Sequence, residues 1–266
     1  MKLSRLILVV CIFLFLYNVK AQETETLGIL ITDRPDATES PTVIPRGFLQ
    51  IETGGFYEKG EDSGLKIENY TYNTTLLRYG LLKNVELRVG WDISKTEFSS
   101  ELADDNPDFL SLNGFSPLLT GVKIGIAEEK GWLPEIGFLG HIYLPFTASS
   151  DYKPETTGVD FRFSFAHTLS NKSAIAYNLG AAWRDDSPEA NYEYTIAYGY
   201  SITDNFGIYT ELYGDFPENN KANHLWDAGI TYLITDNLQL DATVGSGITD
   251  GQDILLSAGA SIRLPN

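Results

Sequence analysis

The feature that most constrains this chain is a two-residue period of apolar and polar side chains, repeated from Phe48 onward in segments of about ten residues. A strand presents successive side chains to opposite faces, so each such segment reads as a strand with different surroundings on its two sides. In residues 85–94, Val85, Leu87, Val89, Trp91 and Ile93 share one face, and Glu86, Arg88, Gly90, Asp92 and Ser94 share the other. Val159, Phe161, Phe163 and Phe165 oppose Asp160, Arg162 and Ser164 in the same way. Tyr192, Tyr194, Ile196, Tyr198 and Tyr200 oppose Glu193, Thr195, Ala197, Gly199 and Ser201.

About twelve segments follow this rule, near 48–57, 67–80, 85–95, 118–126, 134–145, 158–169, 174–183, 191–202, 206–213, 224–234, 238–246 and 254–264. Short turns at 81–84, 127–131, 170–173, 203–205 and 235–237 alternate with longer polar loops near 58–66, 96–117, 146–157, 184–190, 214–223 and 247–253. An even strand count with short and long connections in alternation is the pattern of an outer-membrane barrel, with periplasmic turns and extracellular loops. A soluble β-sandwich also alternates, but its polar faces would be solvated. Here they carry Gly, Ser, Thr and isolated charges of both signs, which suits a crowded interior. The apolar faces carry Tyr57, Trp91, Trp183, Tyr192, Tyr200 and Trp226, with Trp132 at a turn, as interfacial aromatic girdles require. The fold class expected is therefore all-β, a transmembrane antiparallel barrel of about twelve strands.

The start of the chain fits export. Lys2 and Arg5 precede an apolar run from Leu6 to Tyr17, and Val19, Lys20 and Ala21 form a small-residue cleavage site before Gln22. That run is too short to span a hydrocarbon core of about 30 Å as a helix. Residues 1–21 thus read as a cleaved signal peptide, residues 22–46 as a periplasmic or plug segment, and residues 47–266 as the barrel. Cys11 is the sole cysteine of the chain and lies in the apolar run, so the mature protein has no disulfide or thiolate chemistry. The chain has 19 basic and 36 acidic residues; without Lys2, Arg5 and Lys20, 16 stand against 36, a net charge of −20. Such a balance argues against nucleic acid as a partner. The expected partners are outer-membrane lipid and lipopolysaccharide, the barrel-assembly machinery and a small-molecule solute.

In the segment 22–46, Pro35, Pro41 and Pro45 and the charges Asp33, Arg34, Asp36 and Glu39 oppose regular structure. Two readings stay open: a plug folded into the lumen, or a leader packed against the barrel floor. By alternation, Glu52, Glu86, Asp92, Glu135, Asp160, Glu193, Glu211, Asp227 and Asp241 point inward, as do Arg78, Arg88, Lys123, Arg162, Arg263 and His141. As a selective lining, this acidic surplus favours cations or polar neutral solutes. As a structural network, it pairs across a narrow interior.

Several stretches resemble the family of outer-membrane transporters named for the MetA pathway of phenol degradation. They are residues 31–41 (ITDRPDATESP), 45–52 (PRGFLQIE), 73–80 (NTTLLRYG) leading to 85–88 (VELR), 133–145, and 259–264 (GASIRL). The resemblance covers nearly the whole mature chain and implies an outer-membrane barrel passing aromatic or other small apolar compounds. The chain departs from many barrels in closing on Leu264, Pro265 and Asn266 rather than on an aromatic residue.

Catalytic chemistry finds little support. No G-x-S-x-G or H-E-x-x-H occurs, and His141, His167 and His224 have no serine at a recognisable spacing. No enzyme activity, cofactor or metal is expected. The acids Glu101, Asp104, Asp105, Asp108, Asp185, Asp186 and Glu189 lie in loops, as a solvated rim or as holders of divalent cations against lipopolysaccharide. The function expected is passive passage of small solutes. The alternatives are a non-conducting structural or surface-contact barrel and a lipid-modifying barrel enzyme.

Overall fold

The computed structural model describes residues 28–62, 64–100, 110–184 and 186–264. The expected signal peptide, residues 22–27, Pro265 and Asn266, and the loop acids Glu101, Asp104, Asp105, Asp108 and Asp185 lie outside these residues.

Among the described residues, thirteen strands form one antiparallel sheet: β1 (Leu49–Asp62), β2 (Leu65–Leu82), β3 (Val85–Ser100), β4 (Leu110–Phe115), β5 (Leu118–Ala127), β6 (Glu135–Leu144), β7 (Gly158–Ser170), β8 (Ser173–Trp183), β9 (Asn191–Ser201), β10 (Phe206–Pro217), β11 (Asn223–Thr235), β12 (Leu238–Gly247) and β13 (Ile254–Leu264). Pairing of β1 with both β2 and β13 closes the sheet, from Leu49 opposite Leu264 to Lys59 opposite Ile254. The thirteen strands make twelve staves, because β4 and β5 both pair with β3, β5 along Val85–Gly90 and β4 along Ile93–Phe98. The stave breaks at Ser116 and Pro117, where proline has no N–H for the ladder. Ser116 bridges the gap: its N–H donates to Asp92 O at 3.0 Å, and its Oγ accepts the Asp92 N–H at 2.9 Å. Closure leaves no open edge in lipid, where unpaired backbone groups are costly.

Two of the expected long loops are strands. Residues 58–62 end β1 and residues 65–66 begin β2, and the 96–117 region contains the end of β3 and all of β4. At about 3.3 Å per residue, the 18 residues of β2 far exceed the roughly 9–11 that a bilayer needs. The projecting part of β1 is polar on both faces, as in Glu58, Lys59 and Glu61. The two-residue period is therefore absent there, although the strand continues.

Burial is inverted relative to a soluble sandwich. Arg78, Glu86 and Lys123 are fully buried, whereas Leu179 is 55 % and Leu212 49 % exposed. Val159, Phe161 and Phe163 on β7, Ile196 and Tyr198 on β9, and Ile230 and Tyr232 on β11 are likewise exposed. Apolar side chains circle the outside and charges fill the inside, so the barrel is of the outer-membrane type. The connections 83–84, 128–134, 171–172, 202–205 and 236–237 define its turn end; the other end is its loop end.

Candidate functional site

The site is the lumen, and residues 28–46 lie in it. The chain enters at the turn end, where Gly28 O accepts from Arg263 Nη2 at 2.6 Å and the Leu30 N–H donates to Asp236 O at 2.9 Å. It climbs to an apex at residues 35–37 and descends to Arg46, which bridges to Gly80 at the turn end of β2. Two wall glycines make room for the descent. A Cβ on Gly80 would collide with Pro45 O, and one on Gly137 would stand 2.8 Å from Pro41 O.

Asp33 holds the ascending limb. Its carboxylate accepts from Arg88 Nη1 at 2.7 Å and from Lys123 Nζ at 2.7 and 2.9 Å, and it pairs with Arg78 Nη1 at 3.1 Å. Its N–H donates to Glu52 at 3.1 Å. Arg78 also reaches Glu52 at 2.7 Å and both oxygens of Glu86, at 2.7 and 3.0 Å. Three buried cations thus meet Asp33 of the N-terminal segment and the wall's Glu52 and Glu86. Burying so many charges is tolerable only because each has ionic and hydrogen-bonded partners. Next along the chain, Arg34 Nη2 donates to Asp241 at 3.0 Å and to Ser257 at 3.1 Å, and its guanidinium lies over the Phe56 ring.

Glu39 holds the descending limb through Arg88 Nη2 at 2.6 Å. Its backbone is gripped by Asn178, which accepts the Glu39 N–H at 2.7 Å and donates to Glu39 O at 2.9 Å, and by the Ser164 hydroxyl. Below it, Thr42 donates to Glu135 at 2.9 Å and the Ile44 N–H to Glu86 at 3.0 Å. On the β6–β9 wall, Asp160 joins His141 Nδ1 at 2.8 Å and the Tyr143 hydroxyl at 2.6 Å, while Glu193 pairs with Arg162 and Arg184 at 2.8 Å each.

The far side of the apex is different. The Thr38 hydroxyl and the Ala37 N–H donate to Glu211, and Glu211 stands directly opposite Asp227 across the β10–β11 pair. Above the apex lies an open cavity of about 370 Å³, walled by Asp36, Asp92, Asp227, Phe56, Tyr213 and Leu255 among others.

The fifteen inward residues and Asp33, Arg34, Asp36 and Glu39 thus lie around or within one lumen. Neutral wall residues bond to the segment as well: Ser164 and Thr195, which alternation sets on the polar faces, and Gln50, Asn178, Ser257 and Ser261, which the charge pattern does not mark. Their signal is the inward register itself, since Gln50 shares its face with Glu52 and Ser164 with Arg162. The other histidines face outward: His224 Nδ1 meets the Tyr194 hydroxyl at 2.8 Å, and His167 stacks on Tyr177.

Fold and site define a closed, outer-membrane-type β-barrel whose lumen is occupied by its own N-terminal segment. The chain matches over residues 32–264 the family described as "Putative MetA-pathway of phenol degradation", and it belongs to that family. Among solved structures it is similar to the COG4313 outer membrane channel from Pseudomonas putida F1, at 12 % identity and a TM-score of 0.64, covering 84 % of this chain and 97 % of that one. The translocator domain of the autotransporter NalP from Neisseria meningitidis matches at 9 % identity and 0.53, covering 83 % and 90 %. The KdgM porin matches at 11 % and 0.50, covering 80 % and 98 %. At these identities the likeness is one of fold. No curated protein matches the chain.

Proposed function

We propose that this protein is an outer-membrane channel for passive passage of small solutes, with residues 28–46 as a plug that must shift for the lumen to conduct. The carrying observation is the chemistry of the seal. Plug and wall meet through carboxylates, guanidiniums, hydroxyls and backbone groups, all of which water can replace, whereas an apolar seal would resist hydration. The loop end then faces outward and the turn end the periplasm, after export through residues 1–21 and insertion by the barrel-assembly machinery into lipid and lipopolysaccharide. Phe56, Tyr213 and Leu255 at the mouth suit a solute with an aromatic or apolar body, in keeping with the family's description. The inward charges act first as plug anchors and then, with the plug displaced, as a lining.

The test is single-channel conductance of the refolded protein in a planar bilayer beside a variant lacking residues 22–46. Long-lived steps after deletion and rare or small steps before it would support the reading. Silence from both, with a folded barrel, would overturn it. The completeness of the buried ion pairing around Arg78 favours a second reading, a permanently closed structural barrel, which that silence would select.

A further inference from the structure

The pairing of charges in the lumen is lopsided. Asp33, Glu39, Glu52, Glu86, Asp160, Glu193 and Asp241 each have an arginine, lysine or histidine within ion-pair distance. Among the described residues, Asp36, Asp92, Glu135, Glu211 and Asp227 have none; Glu135 accepts from the Thr42 hydroxyl toward the turn end, and Asp36, Asp92 and Asp227 wall the mouth cavity. Glu58, on the same wall, accepts among the described residues from the neutral Asn69 and Gln252. Asp227 is 2 % exposed, and its Oδ1 has no hydrogen-bond partner. A buried carboxylate oxygen left without a donor is costly, and the like-charged Glu211 directly opposite adds to the cost. Both costs fall if a cation enters the cavity.

The lining indicates which kind. Among the described residues, no group of histidine, cysteine or acidic side chains is arranged to hold a metal ion. The acids are spread around the wall, between Phe56, Tyr213 and Leu255. Arg34 already covers Phe56, so Tyr213 is the aromatic surface left for a ligand. The volume falls in the range of small-molecule sites, about 300–1,000 Å³. We propose that the mouth cavity is a binding site for a small organic ammonium ion with an apolar body, its charge against Asp227 and Asp36 and its body against Tyr213 and Leu255. As an entry site it rests on the transport reading; as an equilibrium binding site it does not.

The experiment is isothermal titration calorimetry on the detergent-folded full barrel with three probes of one shape: 2-phenylethylammonium, neutral 2-phenylethanol and anionic phenylacetate. The ammonium should bind 1:1, with the alcohol about tenfold weaker or more and the carboxylate not at all. Asp227→Asn should weaken the ammonium about tenfold and leave the alcohol unchanged. Because Asp227 is buried, Asp92→Asn on the opposite wall serves as a second variant, each checked for its heat-modifiable gel shift; it should weaken the ammonium selectively too. Equal binding of alcohol and ammonium, indifference of both variants, or binding of calcium chloride with no binding of the ammonium would overturn the proposal. Conductance plays no part in the readout, so a barrel that binds the ammonium yet never conducts would refute the transport reading alone.

Discussion

Replacing Asp33 by Asn should free the plug while leaving the barrel standing. In the closed state the Asp33 carboxylate touches Arg78, Arg88 and Lys123, all at most 2 % exposed, so solvent screening is negligible there. Asn keeps the shape and one acceptor but removes the charge, leaving three buried cations facing Glu52, Glu86 and Glu39. Breaking a buried pair from one side costs about 3–5 kcal/mol. With the plug out, water solvates those cations in wild type and variant alike, so the cost falls on the closed state. At about 1.4 kcal/mol per tenfold, the open-to-closed ratio should rise about a hundredfold to several thousandfold. A cysteine in place of Leu30, which is buried within the plug, reports this through its rate of reaction with a membrane-impermeant maleimide. Cys11 is the only other cysteine and lies within the proposed signal peptide. The labelling rate should rise with Asp33→Asn in parallel with channel open time. An unchanged rate in a correctly folded double variant would refute the claim that this carboxylate anchors the plug.

Other perturbations probe the remaining contacts. Gly137→Val should loosen the descending limb by about 1–3 kcal/mol, since its Cβ would press on Pro41 backbone, and more frequent opening with an unshifted barrel melting transition is the readout. Ile230→Arg places a charge on the exposed apolar face of β11 and should cost about 2–4 kcal/mol in bilayer refolding if that face meets the hydrocarbon midplane. A null effect would remove the lipid-facing assignment. In the loops, Asp186 accepts from the Glu155 and Thr156 N–H groups and the Thr156 hydroxyl, which hold its carboxyl below the ordinary aspartate range. A lowered pKa in the folded state means this tie is intact above the unfolded value and is lost only as pH falls through the lower folded one. Amide shifts of Glu155 and Thr156 should therefore stay constant down to the ordinary aspartate range and move below it, whereas Asp186→Asn should abolish the titration.

The staves were legible because lipid outside and polar lumen inside impose a strict period of two, and Val85 to Ser94 shows it without a break. Where that contrast ends, legibility ends with it. Residues 58–62 and 65–66 continue β1 and β2 beyond the alternating segments, and Ser116 and Pro117 break a stave that reads as one segment starting at 118. Every inward charge could be placed by parity, but parity gives orientation, not partners. That Asp33 would meet Arg78, Arg88 and Lys123 depends on how far the plug climbs, and this is set by backbone contacts at Asn178, Ser164 and Gly137, which no local pattern announces. The neutral grips escaped notice for the same reason, since Ser164 and Asn178 look like ordinary small wall residues until Glu39 lies against them.

The uneven distribution of charge along the lumen gives one short segment two duties. Toward the turn end, Asp33 and Glu39 complete networks on β2, β3, β5 and β7 that would otherwise hold surplus positive charge, so the wall itself calls the plug in. At its apex the same segment sets Asp36 on the cavity wall that also carries Asp227, next to Ala37, whose N–H donates to Glu211, and so it adds a third acid where two already lie without a cation. The repulsion at the apex partly offsets the attraction below, so a cation arriving at the mouth should strengthen the docked plug, whereas raised salt, which screens both ends, should loosen the anchors and the apex together. Measuring Leu30→Cys labelling with and without 2-phenylethylammonium separates the two: slower labelling with the ammonium would show apex and anchors working as one lever, and an unchanged rate would show the mouth site to be independent of the plug.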